Sequence, residues 1–213
     1  IRRIGLLNTL QADYVDDGYV RCADDFTIDV VRKARPAMIG EPVPEFDLMN
    51  CETGQMESVH EIAATTGAIW FIGTAGWCGA CRRLFTQGDM AGRGVPSPME
   101  FSNDTPPERA RVMIVMGEDS NGEQADQGEC QRYARGYVEQ FGEGIAAKFY
   151  VDHNGINAFG QLFGHLNTYT AANGTFGLPW NAVVQGGDMP MYRYADRSGQ
   201  PERLIDIIQQ YTS

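Results

Sequence analysis

Apolar and polar positions alternate through Phe46 and Leu48, directly after Gly40-Glu41-Pro42-Val43-Pro44-Glu45, whose prolines hold the backbone extended. A turn signal at Glu52-Thr53-Gly54-Gln55 follows, and Met56 to Val59 returns as the second arm of a hairpin. His60 to Ala64 reads as a short helix. Ala68 to Ile72 is continuously apolar, the pattern of a strand buried on both faces. A helix is predicted from Cys78 to Gly88, then one long loop over residues 88–107, which hold Pro96, Pro98, Pro106 and Pro107. Arg111 to Met116 is a second buried strand, Gln124 to Phe141 has helical spacing, and Ala147 to Asp152 is a third strand. Asn157 to Leu166 reads as a short helix. Pro179 to Val184 is a strand led by proline, with a return arm at Met191 to Tyr194, and Leu204, Ile207, Ile208 and Tyr211 mark a C-terminal amphipathic helix.

Strands that alternate with helices and close on a hairpin and a helix predict an α/β class, one sheet with helices on both faces. Residues 40–213 form that domain, and residues 1–39 are a polar, Asp-rich extension. Strand pairing is plausible there, as at Phe26-Thr27-Ile28-Asp29-Val30-Val31, but the pattern does not place it. An apolar fraction of 43% is enough for an ordinary core at 213 residues.

The chemistry stands at the end of the first buried run, in Ala75-Gly76-Trp77-Cys78-Gly79-Ala80-Cys81. A strand that ends in C-x-x-C and opens a helix is the layout of a dithiol/disulfide redox site. Thiolate, not thiol, attacks a disulfide, and a helix N-terminus stabilises negative charge with unpaired amides and its dipole. Cys78 is therefore the expected nucleophile, and Cys81, one turn later, the resolving thiol. Arg82 and Arg83 add positive charge nearby. A zinc half-site would need two further ligands, and neither a second C-x-x-C nor an H-x₃₋₅-H is present.

Net charge is −11, and residues 1–40 balance six acids against six bases, so the excess lies in the domain. An acidic body argues against nucleic-acid binding. Of the five cysteines, three remain outside the dithiol. Cys22 and Cys51 lie in polar, turn-like surroundings and are the candidates for a structural disulfide. Cys130, in the helical pattern, reads as a small buried side chain. Fifteen arginines against two lysines fit a bacterial source with a G·C-rich genome.

These residues resemble the thioredoxin-like superfamily, and within it the extracytoplasmic TlpA-type thiol–disulfide oxidoreductases and redoxins. The landmarks are Gly40-Glu41-Pro42-Val43-Pro44-Glu45-Phe46-Asp47-Leu48, Trp77-Cys78-Gly79-Ala80-Cys81, Phe149-Tyr150-Val151-Asp152 and Gly177-Leu178-Pro179. The resemblance implies a thioredoxin-like fold, a central mixed sheet flanked by helices. It implies that Pro179 is the cis-proline facing the dithiol, that the backbone of Leu178 holds a substrate chain by strand-like pairing, and that Trp77, Gly79 and Ala80 shape the contact surface. It implies no bound cofactor, a protein disulfide or dithiol as substrate, an upstream redox partner, and a periplasmic or secreted location, with a membrane link only through a removed anchor. The chain departs from the pattern at Ile72, where thioredoxins carry a buried acid, at Leu84, where some TlpA-type relatives carry a glutamate, and at Ala80, which replaces the thioredoxin proline.

Two other functions compete. A thioredoxin-like copper-binding module would use Cys78, Cys81 and His165, with His153 as a lesser candidate. A peroxidase would need T-x-x-C, and Thr74 stands four residues before Cys78 rather than three.

Overall fold

The computed structural model describes residues 18–22, 28–32, 39–88, 96–152, 159–166, 177–195 and 201–212. The chain divides into two units, residues 1–35 and 36–213. In the first, β1 (Gly18–Cys22) and β2 (Ile28–Arg32) pair antiparallel, with Cys22 opposite Ile28.

The second unit carries, in chain order, β3 (Asp47–Asn50), β4 (Met56–Ser58), α1 (Val59–Ala63), β5 (Ala68–Ala75), α2 (Gly79–Gln87), α3 (Pro98–Asp104), β6 (Ala110–Glu118) and α4 (Gln127–Phe141). A 3₁₀ helix (Glu143–Lys148), β7 (Phe149–Val151), α5 (Gly160–His165), β8 (Trp180–Gln185), β9 (Met191–Ala195) and α6 (Pro201–Tyr211) follow. Seven of these strands form one mixed sheet in the order β4-β3-β7-β6-β5-β8-β9. β5, β6 and β7 run parallel, while β8 is antiparallel to β5 and β9 to β8.

Every residue of β5 is buried, because both faces of the sheet are covered. Side-chain alternation divides the interior into two cores. Ala68, Trp70 and Ile72 face the first, with their β6 neighbours Val112 and Ile114 and with Met116. Ile69 and Phe71 face the second, with Met113, Val115 and Tyr150. The proline-held segment at residues 40–43 runs along β9: Gly40 N–H donates to Tyr192 O at 2.7 Å and Tyr192 N–H to Glu41 O at 2.9 Å. It covers a sheet edge that would otherwise present unpaired backbone groups.

Two expectations are corrected. Residues 88–107 are not one loop, because Pro98–Asp104 is the helix α3. Ser97 Oγ accepts the Glu100 amide and the Glu100 carboxylate accepts the Ser97 amide, a capping box with Pro98 in the first turn. The prolines predict a break in this stretch, but Pro98 stands in the first turn, where proline starts a helix. The second correction concerns the structural disulfide: Cys51 is bonded to Cys130, with Cα atoms 5.6 Å apart, and not to Cys22. Cys51 follows β3 and its amide donates to Phe149 O at 2.9 Å, which draws the turn beneath α4, where Cys130 lies. Both sulfur-bearing residues are fully buried. Local polarity around Cys51 pointed to a surface turn, whereas packing puts it in the core.

The Cys51–Cys130 bond spans 79 residues, and closing a loop of that size restricts the unfolded chain by about 4.5 kcal/mol in the chain-entropy account. Replacing both cysteines by alanine is expected to lower unfolding free energy by about 2–5 kcal/mol, read from denaturant midpoints of the oxidised proteins. An unchanged midpoint would show that this bridge carries no stability.

Candidate functional site

β5 ends at Ala75, and three residues later Cys78 is the N-cap of α2. The connection is tight. Cys78 N–H donates to Ala75 O at 3.0 Å, and Gly76 N–H donates to Glu118 O, at the end of β6, at 2.9 Å. A Cβ on Gly76 would lie 2.7 Å from the Ser120 nitrogen, so only glycine allows the two loops to approach this closely. The Arg82 guanidinium donates back to Gly76 O, which turns one of the two expected positive charges into a clamp on the segment before the dithiol.

Cys78 and Cys81 are joined as a disulfide with Cα atoms 5.3 Å apart. Cys78 Sγ accepts the Cys81 backbone N–H at 3.1 Å. That amide is one of the orphan donors of the first helical turn, so the helix start supplies the sulfur with a hydrogen bond and the positive end of its dipole. Cys81 is fully buried and Cys78 is 3% exposed, while Gly79 and Ala80 between them are exposed and small. α2 is fixed from below: Phe85 meets Tyr137 and Phe149 edge-on, with ring centroids 5.6 and 6.2 Å away. Burial in this aromatic cluster, followed by the neighbouring Tyr133, pushes the Tyr137 hydroxyl pKa up, so it stays neutral.

Trp77 is 51% exposed beside the buried pair. Its indole N–H donates to Glu118 Oε2 at 2.6 Å, so the ring is anchored from the end of β6. Beyond Glu118, the Asp119 carboxylate accepts the amides of Glu123 and Asn121, and these bonds hold its pKa below the ordinary carboxylate value. The stabilisation is present above the usual carboxylate pKa and is lost as pH falls through the lowered one.

The Leu178–Pro179 peptide is cis. Trp180 pairs with Gly73 across β8 and β5, and one further step of that register brings Pro179 level with Thr74, at the sheet end from which the dithiol follows. Leu178 packs on the core that contains Cys78 and Cys81.

His165 is not part of this constellation. It stacks on Phe46, centroids 5.0 Å apart, and Phe46 belongs to the core on the opposite sheet face. Burial lowers its pKa. Among the described residues no three His, Cys, Asp or Glu side chains gather to hold a metal ion, and His153 lies outside the described residues. Ile72 is fully buried at the position where thioredoxins carry an acid. The residues that the reading of the sequence missed are Gly76 and Glu118. An acid ending an apolar strand was a visible signal for Glu118, but its partner Trp77 lies 41 residues away.

Thr74 is fully buried, and its hydroxyl has no hydrogen-bond partner among the described residues. It shares register with Met116, so it belongs to the dithiol side of the sheet. A buried hydroxyl without a partner costs about 1–3 kcal/mol. Thr74→Val, which keeps the shape, is expected to raise unfolding free energy by about 1 kcal/mol, measured by denaturant titration. A comparable loss instead would mean that the hydroxyl is bonded in solution.

No protein-family profile matches this chain, and no curated protein does. Solved structures do. A candidate electron transfer protein from Aquifex aeolicus VF5 superposes with a TM-score of 0.54 at 12% identity, over 80% of this chain and 92% of that one. A domain of a possible thiol-disulfide isomerase from Cytophaga hutchinsonii ATCC 33406 gives 0.51 at 14% identity, over 83% and 94%. The exposed lipoprotein thioredoxin of Streptococcus pneumoniae strain TIGR4 gives 0.49 at 14%, over 78% and 99%. With three parallel strands at the centre of the mixed sheet, a C-x-x-C at the helix start after β5 and a cis-proline leading β8, residues 36–213 have the thioredoxin-like fold.

Proposed function

We propose that this protein is a thiol–disulfide oxidoreductase of the TlpA type that exchanges electrons with protein disulfides through Cys78 and Cys81. The observation that carries the reading is the Cys81 amide directed at Cys78 Sγ at 3.1 Å. In the reduced protein the same donor stabilises a Cys78 thiolate, and each pKa unit of depression corresponds to about 1.4 kcal/mol. The thiolate attacks one sulfur of a substrate disulfide, forming a Cys78–substrate mixed disulfide and expelling the other substrate sulfur as a thiolate. Cys81 then loses its proton and attacks Cys78 Sγ, which closes the protein disulfide and releases the second substrate thiolate. Two electrons pass to the substrate, whose sulfurs take up two protons. The cycle is closed by a reduced upstream partner that reopens the Cys78–Cys81 bond.

Trp77, exposed and anchored by Glu118, forms one wall of the contact surface, and the small residues Gly79 and Ala80 keep its rim low. Pro179 forms the opposing wall, and the backbone of Leu178 pairs with an extended substrate segment. An extracytoplasmic location is supported by the buried Cys51–Cys130 bond, because structural disulfides persist in oxidising compartments. Among the described residues no helix is long and apolar enough to cross a membrane.

Insulin-disulfide reduction in the presence of dithiothreitol tests the activity. Wild type is expected to accelerate it and Cys78→Ser to fall to the uncatalysed rate. Cys81→Ser is expected to trap a substrate adduct on Cys78, visible as a mass increase that dithiothreitol removes. Equal rates for wild type and Cys78→Ser would overturn the reading.

A further inference from the structure

At the opposite end of the parallel strands from the dithiol, two cations share a cleft. Phe149 pairs with Ile114 across β7 and β6, so Lys148, one residue earlier, is level with Met113. Arg111, two residues before Met113, lies on the same face of the sheet. Both line a cleft of about 280 Å³ together with Asn50, Glu57, Met113 and Tyr150. Arg111 pairs with Ile69 at the start of β5, six residues before Ala75, which puts the cleft about 20 Å along the strands from the end that carries the dithiol.

Arg111 Nε is buried without a hydrogen-bond partner, and among the described residues neither side chain forms an ion pair. Burial, and after it the charge of Arg111, lowers the Lys148 pKa. Acids outnumber bases by 28 to 17 in this chain, yet two bases stand half-buried side by side without a carboxylate bridging them. Partly desolvated like charges in one cleft are costly, and an anion between them relieves both. The acid in the cleft, Glu57, accepts the Tyr150 hydroxyl at 2.9 Å instead.

We propose that this cleft binds inorganic phosphate as the hydrogen phosphate ion. Its charged oxygens meet the Arg111 guanidinium and the Lys148 ammonium, donors suited to phosphate. Its remaining P–OH donates to Glu57. That carboxylate is the selective element: it accepts a proton that hydrogen phosphate carries and that sulfate and acetate lack, and it repels a fully deprotonated anion. The site is independent of the thiol chemistry.

The test is an NMR titration of the ¹⁵N-labelled oxidised protein with inorganic phosphate near neutral pH, with chloride holding ionic strength constant. Saturable shifts are expected at Arg111 Nε–Hε and at the Lys148 and Tyr150 amides, with weaker binding of sulfate and acetate. Arg111→Gln and Lys148→Met are each expected to weaken phosphate roughly tenfold, as for one lost charge-assisted hydrogen bond, with amide dispersion confirming that they fold. Glu57→Gln is expected to bring sulfate and phosphate to similar affinity. Absence of a saturable shift, equal binding of sulfate by the wild type, or unchanged affinity in both cation variants would overturn the proposal. Insulin reduction by the Lys148→Met variant is expected to match wild type, so the two sites stand or fall separately.

Discussion

The amide of Cys81 can reach the sulfur of Cys78 only where a helix begins at the end of a central strand, and each neighbouring feature serves that placement. β5 is buried along its whole length and paired on both sides, so its end is a fixed point. Gly76 lets the chain turn against the loop after β6, Arg82 ties the turn to the first coil of α2, and the Phe85–Tyr137–Phe149 cluster holds the helix from below. Helix dipoles act within the first turn and fade with distance, so a small displacement of α2 would remove the electrostatic advantage while leaving both cysteines in place.

The two disulfides show one bond in two settings. Cys51–Cys130 closes a separation of 79 residues inside the core, where its effect on the unfolded chain is large and no partner reaches it. Cys78–Cys81 closes a separation of 3 residues, worth about 2 kcal/mol in the same account. It sits between an exposed indole and two small exposed residues. Breaking the second costs the fold little, as the proposed thiol–disulfide exchange requires.

Much of this was legible from local pattern. The apolar run at Ala68–Ile72 marked the central strand, although the strand continues to Ala75. Asp126 caps α4 two residues after the predicted start at Gln124. The C-x-x-C placed the sulfurs at a helix N-terminus because strand, turn and helix follow within a few residues. What failed depended on distance or on a dual-use residue. Pro98 stops a helix from within and starts one at its first turn, and Ser97 with Glu100 decides which. Cys51 and Cys130 meet because β3, β7 and α4 pack together, and no spacing rule reaches over 79 residues.

By itself the sequence determined the α/β order, the dithiol and its direction along a helix, since hydrophobic period and capping are local properties of consecutive residues. Tertiary structure alone decided which cysteine joins Cys51, that Glu118 holds Trp77, that His165 lies across the sheet from the sulfurs, and that Arg111 and Lys148 share a cleft. Those outcomes follow from strand register. A shift of one residue turns every side chain to the other face, and register is settled only when the whole sheet closes on its two cores.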